Sequence, residues 1–166
     1  MLLATDAVVL HVFDYLESSR IIRLATREAG VVSVIARGAR RPRSRFGSAL
    51  DLFTGGAAQL AVKSGREMQT LTGWEAVRVR HRLGESLERF TAASALAELA
   101  LRFSGDVPNP DAYDALVSAL DAVAGAAPAD AAAYAVAGAW RLVAELGFAP
   151  ALDECASCHA DLAPED

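Results

Sequence analysis

Arg20-Ile21-Ile22-Arg23-Leu24-Ala25-Thr26-Arg27-Glu28-Ala29-Gly30-Val31-Val32-Ser33-Val34-Ile35-Ala36 is the stretch that decides the fold. Residues 20–27 predict a strand with Ile22 and Leu24 facing in and Arg23 and Arg27 facing out. Val31 to Ala36 is rich in β-branched residues and reads as a second strand. Glu28-Ala29-Gly30 between them is a tight turn, with Gly30 supplying a positive φ. The segment is therefore an antiparallel hairpin. Before it, residues 7–13 read as a strand with Val8, Leu10 and Val12 on one face, followed by a polar break at Tyr15 to Ser19. After it, Ala57 to Val62 and Met68 to Thr72 read as two more strands, joined by a turn at Ser64-Gly65.

The other half of the chain has a different composition. Residues 1–83 carry 11 alanines and residues 84–166 carry 25. Alanine is the best helix former and a poor strand former, so the second half is predicted to be helical. His81 to Phe103 reads as a helix with Leu87, Phe90, Ala97 and Leu101 on one face. Gly105 and Pro108 end it, and Asn109-Pro110-Asp111 starts the next, with Asn109 at N-cap and Pro110 at N1. Asp130 to Leu146 is a third helix, apolar almost all round and so expected at the centre of a bundle, with Trp140 in its core. Gly147 fits its C′ position. The expected fold class is α+β, with a β domain over 1–80 and a helical domain over 81–166. Five short strands with an early hairpin fit a small closed barrel, whose common five-stranded form is the OB-fold.

Charge is divided in the same way. The net charge of −5 conceals a first half, residues 1–83, with 13 Lys and Arg against 7 Asp and Glu. Residues 84–166 hold 3 against 14. The basic excess peaks at Arg37-Gly38-Ala39-Arg40-Arg41-Pro42-Arg43-Ser44-Arg45-Phe46-Gly47, which has five arginines and no acidic residue. Guanidinium groups so close repel one another unless an anion joins them. Arginine also fits phosphate in a fork geometry and stacks on bases. This loop points to nucleic acid, with Phe46 and Tyr15 as stacking faces and Arg20, Arg23 and Lys63 extending the patch. The competing readings are a solvated basic loop, a loop that salt-bridges the acidic half, and, for the outlying residues, ordinary exposed strand positions. No run of apolar residues reaches the roughly 18–20 needed to cross a bilayer, and Met1-Leu2-Leu3-Ala4-Thr5-Asp6 has no basic n-region. The expected compartment is the cytoplasm. No acid–base pair, nucleophile arrangement or phosphate loop stands out, so the expectation is a protein that is not an enzyme. His11, in the first strand, reads as a structural residue.

Cys155-Ala156-Ser157-Cys158-His159 holds the only two cysteines. Cys-x-x-Cys is half of a four-cysteine zinc site, and Cys155 and Cys158 are the candidate metal ligands. Only His159 and Asp161 lie close enough in sequence to help. The same spacing followed by His serves covalent haem attachment, and Cys-x-x-Cys also serves thioredoxin-like redox chemistry.

Taken together, these segments resemble the RecO family of bacterial DNA repair proteins. The resemblance is carried by Ala7-Val8-Val9-Leu10, by Tyr15-Leu16-Glu17-Ser18-Ser19-Arg20-Ile21-Ile22, by Thr26 to Gly30, and most specifically by Ala36-Arg37-Gly38-Ala39-Arg40-Arg41 with Ser44-Arg45-Phe46. Pro108-Asn109-Pro110 and Leu146-Gly147-Phe148-Ala149-Pro150 before the Cys-x-x-Cys belong to the same pattern. The resemblance implies an N-terminal OB-fold and a C-terminal helical domain carrying a zinc-finger-like element. It implies a non-enzymatic recombination mediator of the RecF pathway. Such a protein binds single- and double-stranded DNA, anneals strands coated with single-stranded DNA-binding protein, and acts with RecR to help load RecA. Members of the family continue to a second cysteine pair and a further helix, whereas this chain stops at Asp166. The expectation is thus a truncated chain, or a variant without that tail, carrying half a zinc element. An alternative is an interaction module whose basic loop docks the acidic tail of single-stranded DNA-binding protein.

Overall fold

A computed structural model describes residues 1–44, 46, 49–155 and 157–161. The first half is five strands: β1 (Leu2–Tyr15), β2 (Ser19–Thr26), β3 (Gly30–Ala36), β4 (Gly55–Ala61) and β5 (Met68–Arg78). The long β1 serves two partners, pairing antiparallel with β4 over Leu2–Val8 and with β2 over Ala7–Tyr15. β3 and β5 run parallel, with Ser33 opposite Met68 and Ile35 opposite Thr70. The order β1-β2-β3-β5-β4 returns to β1, so the barrel closes and leaves no free edge. This is the expected OB-fold.

Ala7, Val9, Ile22, Leu24, Val34, Leu60 and Leu71 fill the barrel. Val8 and Leu10 point the other way, into a second core shared with Ala25, Val31, Phe53 and the helices. That is why Ala7-Val8-Val9-Leu10 is an unbroken apolar run: both of its faces are buried. Strict alternation put Val8, Leu10 and Val12 on one face, and the structure corrects this. The β1–β2 register passes from Val9 opposite Leu24 to His11 opposite Arg23, leaving Leu10 as the extra residue of a bulge. The extra residue shifts the phase. Val12 therefore packs on the barrel interior, while His11 and Phe13 turn outward.

A 3-10 turn at His81–Gly84 leads into α1 (Leu87–Phe103), α2 (Pro110–Gly125) and α3 (Ala131–Val143). Ser86 caps α1 by accepting the Arg89 N–H, which is why that helix starts later than its apolar periodicity predicts. Asn109 caps α2 by accepting the Ala112 N–H at 3.0 Å, as expected. Gly147, at φ +90, is the non-helical residue within the turn Ala144–Phe148 that follows α3. Small residues let the helices approach closely: a Cβ on Gly138 of α3 would lie 2.4 Å from the Ala119 Cβ of α2. The expectation that α3 lies centrally with Trp140 in the core is overturned. Ala131, Ala135 and Leu142 are its buried stripe, and Trp140 is 60% exposed. An alanine-rich helix is apolar on every side, so its sequence does not distinguish the packed side from the bare one. Among the described residues no helix is long and apolar enough to cross a membrane.

The two halves are joined by polar contacts as well as by the shared core. Gly30 sits at φ +65 in the β2–β3 turn, pressed against the α1–α2 connection. A Cβ there would lie 2.4 Å from the Gly105 carbonyl oxygen, and the Val31 N–H donates to the same oxygen at 2.9 Å. Arg27 pairs with Asp114 of α2, and Arg78 with Asp121. Arg80 is buried, donating its Nε–H to Asp121 at 2.8 Å and its Nη1–H to the Phe53 carbonyl at 2.6 Å. Tyr113 packs beside these pairs, and burial, with the Asp6 charge adding to it, pushes its hydroxyl up to about 12.

Candidate nucleic-acid interface

β3 ends at Ala36, and the chain then passes through a series of turns. Gly38 takes φ +72, the Arg41 N–H donates to the Gly38 carbonyl at 3.1 Å, and the Ser44 N–H to the Arg41 carbonyl at 2.9 Å. The turns are attached to the β1–β2 connection, where the Arg40 N–H donates to the Ser18 carbonyl at 3.0 Å. They are also anchored from within. Ala39, Phe46 and Leu50 enter the barrel core, and the Trp74 indole N–H holds the Ala49 carbonyl at 3.0 Å. The basic segment is thus mounted on rigid elements, with apolar side chains pointing down between cations that point out.

The candidate residues separate accordingly. Arg37, Arg40, Arg41 and Arg43 are all exposed. Arg40 is held over Asp14, with Nε at 3.7 Å, and its Nη1–H reaches toward the Leu16 carbonyl at 3.5 Å. Arg37, Arg41 and Arg43 form no ion pair among the described residues. Arg45 lies outside the described residues. Phe46 is corrected as a stacking face: it is 2% exposed and packs in the barrel core, because the loop needs an apolar anchor at the point where it turns back. Tyr15 remains exposed. Arg23 is half-buried on β2, opposite His11 of β1 and Ser33 of β3. Arg20 beside it faces Asp14 at 3.4 Å. Lys63 is exposed in the β4–β5 turn, which the Gln69 side chain braces by accepting the Lys63 N–H and donating to the Arg66 carbonyl.

The attraction between the oppositely charged halves accounts for only part of the basic excess. Arg27, Arg78 and Arg80 meet Asp114 and Asp121 of the helical body. The described arginines of the loop do not: the one carboxylate they reach, Asp14, belongs to β1. What is left facing solvent is a cluster of cations whose field is available to an outside anion.

Two residues escaped the sequence reading. His11 and Phe13 stand on the outer face of β1 with ring centroids 4.1 Å apart and planes inclined by 31°. Alternation sets both opposite Val12, but it says which residues share a face and not what that face meets, so His11 read as structural and Phe13 took no role.

At the far end of the chain, Cys155 and Cys158 flank a tight turn. The Cys155 N–H donates to the Ala160 carbonyl, the His159 N–H donates to the Cys155 carbonyl, and Glu154 bridges to Asp161. Backbone N–H groups of Cys158 and then Ser157 aim at the Cys155 sulfur and hold that thiol below its ordinary value. A turn that favours thiolate suits a metal ligand. The His159 Nδ1 lies 3.2 Å from a Glu154 carboxylate oxygen. Among the described residues no three His, Cys, Asp or Glu side chains gather as a complete ligand set.

Comparison with known proteins places this arrangement. The family described as "Recombination protein O N terminal" matches residues 1–80, and "Recombination protein O C terminal" matches residues 84–166. The chain belongs to the RecO family. Among its RecO relatives, the DNA repair protein RecO of Rubrobacter xylanophilus is 36% identical over 158 residues, covering 95% of this chain and 62% of that protein. The DNA repair protein RecO of Anaeromyxobacter dehalogenans strain 2CP-C is 41% identical over 155 residues, covering 92% and 60%. That of Syntrophotalea carbinolica is 35% identical over 163 residues, covering 98% and 62%. The chain therefore spans about three fifths of the length of the curated RecO proteins it matches.

Proposed function

We propose that this chain acts in DNA repair as a recombination mediator in the cytoplasm, binding single- and double-stranded DNA through the β3–β4 loop. Arg37, Arg40, Arg41, Arg43 and Arg45 supply the phosphate contacts, and Arg23 and Lys63 extend them. The observation that carries the reading is the exposure of Arg37, Arg41 and Arg43 without carboxylate partners among the described residues, on a loop anchored by its own apolar side chains. Annealing follows from the same surface: cations that screen two strands raise their local concentration and lower the repulsion between them. No catalytic step is assigned. Family membership and the names of the relatives support DNA repair and recombination; action with RecR toward RecA loading is what the RecO resemblance implies.

Annealing of complementary fluorophore- and quencher-labelled strands is the direct test. The chain should accelerate it, and a variant with the five loop arginines changed to alanine should not. Equal acceleration by both would refute the reading. The same exposed cations would also accept the acidic tail of single-stranded DNA-binding protein. A tail peptide that displaces DNA from the wild type, and binds the five-alanine variant weakly, would indicate one shared site.

For the cysteine turn, the residues present fit one half of a tetrahedral zinc site, with Cys155 and Cys158 as thiolate ligands. Bound zinc would cross-link the end of the helical domain. Zinc released on titrating the thiols supports this, and a Soret band in the purified chain would mark the haem alternative instead.

A further inference from the structure

α3 has two apolar sides. Ala131, Ala135 and Leu142 face the bundle, and Gly138 lies against Ala119 of α2. At about 100° per residue, Ala132, Ala133, Val136, Ala137 and Trp140 fall on the roughly opposite side, turned away from the protein's own core. All five are exposed, Val136 by 68% and Trp140 by 60%. Together they line one open apolar groove along the helix. Scattered apolar residues are ordinary on a surface, whereas a contiguous strip of them marks a contact site.

The strip is graded in size, with alanines at its N-terminal end and the Trp140 indole at its C-terminal end. Two such strips interlock when they run antiparallel. Centred on Val136, Trp140 of each copy comes opposite Ala132 of the other, so bulk meets a low place. A parallel pair would set indole against indole and alanine against alanine.

Charge agrees with the same register. Asp130 and Arg141 are both exposed, and neither has an ion-pair or side-chain hydrogen-bond partner among the described residues. The eleven residues between them complete about three turns, so both stand on the margin of the strip beside Ala137. A two-fold axis through an antiparallel pair keeps that margin on one side of both helices. With Val136 at the centre, Arg141 of one copy lies about 1.5 Å along the axis from the position opposite Asp130 of the other. The charges left over within the chain thus meet across the same contact that covers the apolar strip.

We propose that two copies of this chain pair through the outer faces of α3, antiparallel about Val136. One helix pair covers less than the roughly 1,200–2,000 Å² of a standard interface, so the pairing is weak and depends on concentration.

Sedimentation equilibrium of the 166-residue chain over a concentration series reads the association. The wild type should pass from monomer to dimer as its concentration rises toward millimolar. Acrylamide quenching of tryptophan should fall over the same range, because the exposed Trp140 indole becomes covered. Val136→Glu sets two carboxylates against each other at the centre of the contact and should weaken dimerisation at least about tenfold. Arg141→Asp leaves only acidic groups on that margin and should weaken it about 3- to 10-fold. The double change D130R/R141D exchanges the charges and should return dimerisation to within about twofold of the wild type. A wild type that stays monomeric near millimolar concentration would overturn the pairing and leave the face to a partner of other chemistry. Equal dimerisation by Val136→Glu, or dimers with unchanged quenching, would mean that another face pairs. A charge exchange that fails to restore what Arg141→Asp loses would overturn the antiparallel register.

Discussion

Replacing Arg37, Arg41 and Arg43 together by alanine tests the interface without disturbing the fold. All three are exposed and take no carboxylate partner among the described residues, so removing them breaks no ion pair there and should change stability by no more than about 0.5 kcal/mol each. Arg40 is left in place because it is tied to Asp14 and to the Leu16 carbonyl. If each of the three neutralises one phosphate, each adds about 0.7 to the slope of log affinity against log salt for a single strand and about 0.9 for duplex. The variant should therefore show a slope shallower by about 2 on a single strand and nearly 3 on duplex. Between 50 and 200 mM salt, a slope difference of about 2 means that the wild type loses roughly 20-fold more affinity than the variant. Fluorescence anisotropy across a salt series reads this directly. A variant slope equal to that of the wild type would mean that these cations meet no phosphate, whatever the absolute affinities.

Three further outcomes follow from positions where the structure is tightest. Gly30→Ala combines a left-handed φ with backbone oxygens 2.4 and 2.6 Å from the added carbon, and should cost about 2–5 kcal/mol in urea unfolding; a loss below about 1 kcal/mol would mean that the α1–α2 connection yields easily. Phe46→Ala should lower stability by about 3–5 kcal/mol, as expected of a core ring; normal stability with weakened DNA binding would restore Phe46 as a stacking face. Tyr113 ionises near pH 10 when unfolded and only at about 12 in the folded chain, so the unfolded form loses its proton first. Stability from this group is complete below pH 10 and falls as pH rises toward 12, by about 1–2 kcal/mol once its partial exposure is discounted. Tyr113→Phe should flatten that alkaline limb, and a limb of unchanged steepness would place the effect elsewhere.

The sequence carried the hairpin at Gly30, the cap at Asn109, and the basic loop because each depends on neighbours in the chain. A turn needs its glycine, a helix end its side-chain oxygen, and a charge cluster only its own proximity. The strand faces of β1 were harder to read. Leu10 is inserted without any local mark, since a bulge depends on the partner strand, and one extra residue exchanges inside for outside in everything after it. Phe46 was misassigned because an aromatic ring among arginines reads the same whether it is an anchor or a platform.

By itself, the amino-acid order determined that a β barrel precedes a helical body, and that one loop gathers more positive charge than it can hold without an anion. Only the folded molecule decided which cations remain free. Asp114 and Asp121 on α2 take up Arg27, Arg78 and Arg80, while the loop arginines, on the other side of their own apolar anchors, meet no carboxylate of the helical body among the described residues. The reason is one of range. Charge density is a property of adjacent residues, whereas a counter-ion can arrive from 87 positions away, as Asp114 does for Arg27.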